Sequence, residues 1–141
     1  MKYRVVAVGR VKDAALRTAC DGYLERLSHY AKVEEAEVKD EARVLGAIPP
    51  GTRLVALSRT GDAWSSRDLA RETETWEREA RDVALAIGGA TALPADVMQR
   101  ADQVWSLSAL TLPHEMARLV VLEQLYRAYT IRRGEPYHRG P

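Results

Sequence analysis

The sequence has one cysteine, Cys20, and three histidines, none at a metal-ligand spacing. A lone cysteine excludes an internal disulfide framework and a cysteine-rich zinc site. His114 is followed directly by Glu115, so the H-E-x-x-H pattern of helical zinc sites is missing. We therefore expect no metal. No apolar run approaches the ~20 residues that cross a bilayer. The opening MKYRVVAVGR returns to arginine too soon to form a signal-peptide core. A reducing, cytoplasmic setting is the expectation. Also missing are a G-x-G-x-x-G fingerprint, a Walker lysine, a G-x-S-x-G elbow, internal repeats and low-complexity tracts. Lysine and arginine total 21 against 20 acidic residues, so no global basic field points to nucleic acid. Any RNA partner must meet a local patch.

What is present is an ordinary globular composition, 46% apolar and 29% charged over 141 residues. That length suits one domain, residues 1–141, with a sizeable core. Tyr3 to Val8 (YRVVAV) is β-branched and stops at Gly9, as a buried strand does. Leu16, Cys20, Tyr23, Leu24 and Leu27 then share one stripe at helical spacing, which makes Cys20 a buried structural thiol. Val33 to Val38 (VEEAEV) is a weaker strand suited to an edge. Ile48-Pro49-Pro50-Gly51 is a turn by composition. Arg53 to Leu57 forms the next strand, and Ser58 to Asp62 (SRTGD) is expected to be the loop at its end. Ser65 or Ser66 caps a helix starting near Arg67, with Leu69 and Trp76 inward.

Val83 to Ile87 (VALAI) is wholly apolar and runs into Gly88-Gly89, the pattern of a central strand in a parallel sheet. Pro94 opens a short helix to Arg100, and Val104 to Leu107 makes the last strand. From His114 to Arg132 the chain is helical, with apolar residues on more than one stripe. One stripe would cover the sheet and another a partner copy. Strands alternate with helices throughout, so the fold class is α/β with a mainly parallel sheet flanked by helices.

Three strand ends, Leu57 to Gly61, Gly88 to Ala92 and Leu107 to Leu112, fall at one edge of such a sheet, where ligands bind. Trp105 to Pro113 contains no charged side chain, so a ligand there is held by backbone and apolar contacts. Gly88-Gly89 allows positive φ or a close approach, or is a plain turn. The tail offers Arg132, Arg133 and Arg139 for phosphates, Tyr137 for stacking and His138 for proton transfer. On residue type alone the commoner fate of such residues is a solvated terminus, and that is the expectation before any resemblance is considered. His114 and Arg118 read as polar surface neighbours at a helix start, and His29 as surface.

VAVG at Val6 to Gly9, IGG at Ile87 to Gly89, SLSALTLPH at Ser106 to His114 and YRAYTIRRGEPYHR at Tyr126 to Arg139 are spread over nearly the whole chain. With these strings the sequence resembles the ribosomal RNA large-subunit methyltransferase H family, within the knotted SPOUT methyltransferases. The resemblance implies a homodimer, a deep trefoil knot in the C-terminal half and S-adenosyl-L-methionine as methyl donor. It further implies methylation at N3 of a pseudouridine in helix 69 of 23S rRNA, on the assembled ribosome. Carried over by position, the cofactor site is Leu57, Gly88, Leu107, Ser108, Ala109, Leu110, Thr111 and Leu112. We further expect His138, with Tyr137 and Arg139, to be the catalytic group, and His114, Arg118, Arg132 and Arg133 to contact RNA. Two departures stand out. The glycine loop reads GGATA where the family has GGPEG or GGSNG, with Ala92 in a glycine's place. The Val38 to Arg53 segment is short, and we expect a trimmed helix away from the cofactor loops. Two rivals stay open: a related enzyme acting on another RNA such as tRNA, and a non-catalytic ribosome-associated factor.

Overall fold

The computed structural model describes all 141 residues. Its elements are β1 (Lys2–Val8), α1 (Ala14–Leu27), β2 (Lys32–Val38), β3 (Arg53–Ala63), α2 (Ser66–Glu79), β4 (Val83–Ile87), α3 (Ala95–Arg100), β5 (Gln103–Ser106) and α4 (His114–Arg132). The strands form one parallel sheet in the order β2-β1-β4-β3-β5. The apolar VALAI strand is central and VEEAEV lies at an edge, as their compositions require. Asp13 caps α1 by accepting from Leu16 N–H, and Ser65 with Asp68 forms a reciprocal capping box on α2.

Side chains alternate across the sheet with period two. Tyr3, Val5, Val55, Val83, Leu85 and Ile87 face one way, into a core with Cys20, Leu69, Trp76, Leu122 and Leu125 from the three long helices. Cys20 is buried there, as its stripe predicts. Val6, Leu54, Ala56, Ala84 and Ala86 face the other way, against Val44, Ile48, Leu93 and Val97. The small alanines let short elements lie close on that side. Between β2 and β3 the expected trimmed helix is instead two 3₁₀ turns, Glu41–Arg43 and Leu45–Ala47.

The SRTGD segment, expected as a loop, lies inside β3. Leu57 and Asp62 both pair with Trp105 of β5, so Ser58 to Gly61 is an excursion between two pairings with one residue. Gly61 returns so close to β5 that a Cβ there would sit 2.5 Å from the Val104 carbonyl oxygen. Glycine is needed because the backbones touch.

The edge strand carries a further surprise. In register with Val5 and Ala7, Glu35 and Glu37 lie on the helix-covered face. There they meet Arg118 of α4, whose guanidinium is 1% exposed and lies 3.0 Å from Glu35. Arg118 also donates to the Gly9 carbonyl at 2.8 Å. One turn earlier, the Glu115 carboxylate accepts from Lys12 N–H at 2.8 Å and Asp13 N–H at 3.1 Å. The start of α4 is thereby fastened to the ends of β1 and β2 and to the start of α1.

At its other end α4 joins a polar chain. Tyr129 donates to Glu77 at 2.6 Å, so the 2.8 Å contact between the Tyr3 and Tyr129 hydroxyls has Tyr3 as donor. Arg132 closes the chain on the second Glu77 oxygen at 2.6 Å. Arg132 first, then Tyr129, hold the Glu77 carboxyl below its ordinary range, against the opposing effect of burial. A depressed carboxyl contributes stability above its unfolded value and loses it as pH falls through the folded one. Urea midpoints of the wild type should therefore drop on acidification below about pH 4.5, and Glu77→Gln should flatten that acid limb. An identical acid limb in the variant would show that Glu77 does not set it.

Candidate cofactor site

Three strand-end segments converge on one cavity of about 470 Å³. They are Leu57 to Thr60 from β3, Gly88 to Leu93 after β4, and the run from Leu107 after β5 to Leu112. Ile87 and Met98 add to the wall, and His114 and Ala117 bring in the first turn of α4. The cavity lies where the carboxyl ends of parallel strands meet helix starts, the usual ligand position in such sheets.

Of the residues proposed from the family pattern, Leu57, Gly88, Leu107, Ser108, Leu110, Thr111 and Leu112 line this cavity. Ala109 does not; it is exposed and is the one residue of that run off the cavity wall. The loop is shaped by its own serines: Ser106 Oγ donates to the Ser108 carbonyl at 3.1 Å, and Leu110 N–H donates to Ser108 Oγ at 3.0 Å.

The glycine pair is explained by crowding within the protein. Neither Gly88 nor Gly89 has positive φ. A Cβ on Gly88 would lie 2.8 Å from the Thr91 carbonyl oxygen, and one on Gly89 would lie 2.9 Å from Glu41 Oε1. Glu41 comes from the first 3₁₀ turn, so the shortened segment is not remote from the loop as expected. Its carboxylate faces Thr91 N–H at 3.5 Å. Its own backbone N–H first, then the Thr91 hydroxyl and the Thr91 and Gly89 N–H groups, hold that carboxyl below its ordinary range.

The other proposed residues separate into three places. His114 lines the cavity. Arg118, expected to contact RNA, is a correction: it is buried against Glu35, Glu37 and Gly9, where no phosphate reaches it. Arg132 is tied to Glu77 and lies over the Tyr129 ring, while the exposed Arg133 lies over Tyr30. Tyr137 packs edge-on against Tyr126, with centroids 4.8 Å apart, and donates to Glu123 at 3.2 Å. Burial pushes the Tyr137 hydroxyl upward in pKa. His138 Nδ1 lies 3.1 Å from Arg127, and its Nε2 lies 3.2 Å from the Pro141 carbonyl. Arg139 is exposed. At about 1.5 Å rise per residue, Arg127 is about 20 Å along α4 from His114. Cavity and tail thus sit at opposite ends of one helix.

Sequence reasoning missed Glu41 and Arg59. Nothing in the spacing connects Glu41 to the glycine loop, because the contact joins separate crossovers. Arg59 was within reach, being the one cation of SRTGD. No group of three or more His, Cys, Asp or Glu side chains comes together as a metal site.

A family model for predicted SPOUT methyltransferases matches residues 1–138. The ribosomal RNA large subunit methyltransferase H of Sorangium cellulosum (strain So ce56) is 47% identical, over 97% of this chain and 99% of that protein. The protein of the same name from Anaeromyxobacter sp. (strain Fw109-5) is 42% identical, over 99% of this chain and all of its own. The chain belongs to the ribosomal RNA large subunit methyltransferase H family of SPOUT methyltransferases. The fold of this SPOUT chain is also similar to that of a probable methylase family protein from Haemophilus influenzae Rd KW20. The TM-score is 0.64 at 10% identity, covering 98% of this chain and 70% of that one.

For this SPOUT protein the crowding at Gly88 makes a direct prediction. Gly88→Ala must push the Thr91 carbonyl aside, and Glu41→Ala removes the acceptor facing Thr91 N–H. Hydrogen exchange at residues 88–92 should speed up in both variants while the strands keep their protection. Unchanged exchange in both would show that the loop holds its shape without these contacts.

Proposed function

We propose that this protein is an S-adenosyl-L-methionine-dependent methyltransferase that modifies N3 of a pseudouridine in helix 69 of 23S rRNA. It acts in the cytoplasm, on the assembled ribosome. The observation that carries this reading is the near full-length identity to ribosomal RNA large subunit methyltransferases H, together with a cavity built from the residues of the family pattern. No helix is long and apolar enough to cross a membrane. Residues 1–141 act as one domain, and the segment from β4 through α4 forms the trefoil knot. The passage from β4 to β5, which lies beyond β3, supports that threading.

The cavity suits the donor. Its volume is within the range for small-molecule sites, and Leu57, Leu107, Leu110 and Leu112 give it apolar walls. The loop from Leu107 to Leu112 carries no charge, so its backbone groups hold a neutral adenine. When bound, the donor supplies a methyl group on a sulfonium, which is a good leaving group. The remaining task is alignment and removal of the imide proton, for which a positioned base contributes ~10²–10⁴-fold.

His138 takes or orients that proton, Tyr137 stacks beside the base, and the exposed Arg139 and Arg133 meet phosphates, while Arg132 stays on Glu77. As docked in the structure, His138 has no free lone pair. Arginine only donates, so Nδ1 accepts from Arg127 and the ring proton belongs on Nε2, facing Pro141. The tail therefore leaves Arg127 before His138 acts.

One chain cannot bring its own tail to its own cavity across the length of α4. The enzyme works as a homodimer in which one copy's tail completes the other copy's site. The exposed Leu110 and Met116, at the cavity end of α4, supply apolar surface for that contact.

Mass spectrometry of 23S rRNA from cells lacking the protein is the direct test. The helix 69 pseudouridine should lose its methyl group, and its persistence would overturn the substrate assignment. The shared site has a separate check. A chain deleted for Tyr137 to Pro141 and a chain carrying Gly88→Ala should each be inactive as homodimers. Mixed dimers should regain up to half the activity per dimer, through the one site that has an intact cavity and an intact tail. No recovery in verified mixed dimers would place tail and cavity in the same chain's site.

A further inference from the structure

Arg59 is the only lysine, arginine or carboxylate side chain on the cavity wall. It is exposed at the tip of the β3 excursion. Several other arginines are occupied by carboxylates, Arg17 and Arg118 by Glu35, Arg127 by Glu123 and Arg132 by Glu77, and those without a carboxylate partner, such as Arg10, Arg67, Arg133 and Arg139, do not line the cavity. Arg59 has no such partner. Its support is firm nevertheless, because both ends of the excursion pair with Trp105 and Gly61 rests on the Val104 carbonyl. A 2.9 Å contact between Ser58 Oγ and Thr60 Oγ1 tightens the tip. The backbone that carries this unpaired guanidinium is thus held at a cavity whose wall has no other lysine, arginine or carboxylate side chain.

We propose that Arg59 binds the carboxylate of the donor's amino-acid tail and thereby sets which way round the donor lies. This rests on the reading of the cavity as the S-adenosyl-L-methionine site. The donor has a neutral adenine, two cationic groups (the sulfonium and the ammonium) and one anionic group. A guanidinium at the cavity wall attracts only the last and repels the other two. The neutral end then falls to the uncharged loop of Leu107 to Leu112. Guanidinium and carboxylate match in planar, two-pronged hydrogen bonding, which an ammonium does not reproduce.

Binding calorimetry of full-length protein with S-adenosyl-L-methionine and with decarboxylated S-adenosyl-L-methionine isolates this contact, since the second ligand lacks only the carboxylate. Arg59→Gln should weaken the first ligand about tenfold, the low end for a charge-assisted hydrogen bond at an exposed site. The same variant should leave the second ligand unchanged or bind it tighter. Arg59→Lys should restore part of the loss. Equal weakening of both ligands, or no weakening of either, overturns the assignment while leaving the donor site in place. Unchanged donor binding with weaker ribosome binding would assign Arg59 to an RNA phosphate instead and also overturn it. Wild-type protein that binds neither ligand removes the donor site itself, and this assignment with it.

Discussion

The guanidinium of Arg118 is the contact on which the arrangement of this protein most depends. It is almost fully buried and joins the carboxylates of an edge strand, the carbonyl at the end of β1 and the first turns of α4. An unpaired charge at that depth costs several kcal/mol, so Glu35 and Glu37 have to face inward on β2. The pairing does more than neutralise charge. It sets where α4 begins, and so how far the loop after β5 must travel to reach it. That loop is one wall of the cavity, and its reach is therefore bounded at both ends, by Ser106 on β5 and by His114 on α4.

The cavity is built by close approach of backbone to backbone. Gly88 leaves room for the Thr91 carbonyl, Gly89 for Glu41, and Gly61 for the Val104 carbonyl. Three crossovers converge because a parallel sheet delivers all its strand ends to one edge. Glycines occur where those ends crowd together. The GGATA loop lacks a glycine at Ala92, yet both crowded positions retain one. Glu41 braces the loop from the short β2–β3 connection, so two departures from the family pattern meet at one contact.

The candidate cofactor site and the tail are divided along α4. Its first turn belongs to the cavity, its middle to the sheet and the flanking helices, and its last turn to the Tyr3–Tyr129–Glu77–Arg132 chain beneath the tail. This rigid rod separates the group proposed to hold the donor from the groups proposed to meet RNA. The proposed homodimer bridges that separation, and the hydrogen bonds of His138 to Arg127 and Pro141 keep the tail at the far end of α4 from the cavity.

The sequence by itself determined the elements and their class. VALAI had to be central because it has no polar side, VEEAEV had to be an edge, and the stripe of Leu16, Cys20 and Leu27 had to face the core. Alternation and helical spacing are local properties, and burial follows from them. The three strand-end loops were legible for the same reason, as was most of the candidate cofactor site once the family pattern was applied. Only the tertiary structure decided the fate of the charges. VEEAEV looks like a solvated edge, and Arg118 looks like a surface neighbour of His114, until strand register brings them together. Likewise SRTGD reads as a loop until Trp105 pairs with Leu57 before it and with Asp62 at its end, and Glu41 reads as part of a linker until it meets Gly89. Contacts of this kind join residues far apart in the chain, and no periodicity records them.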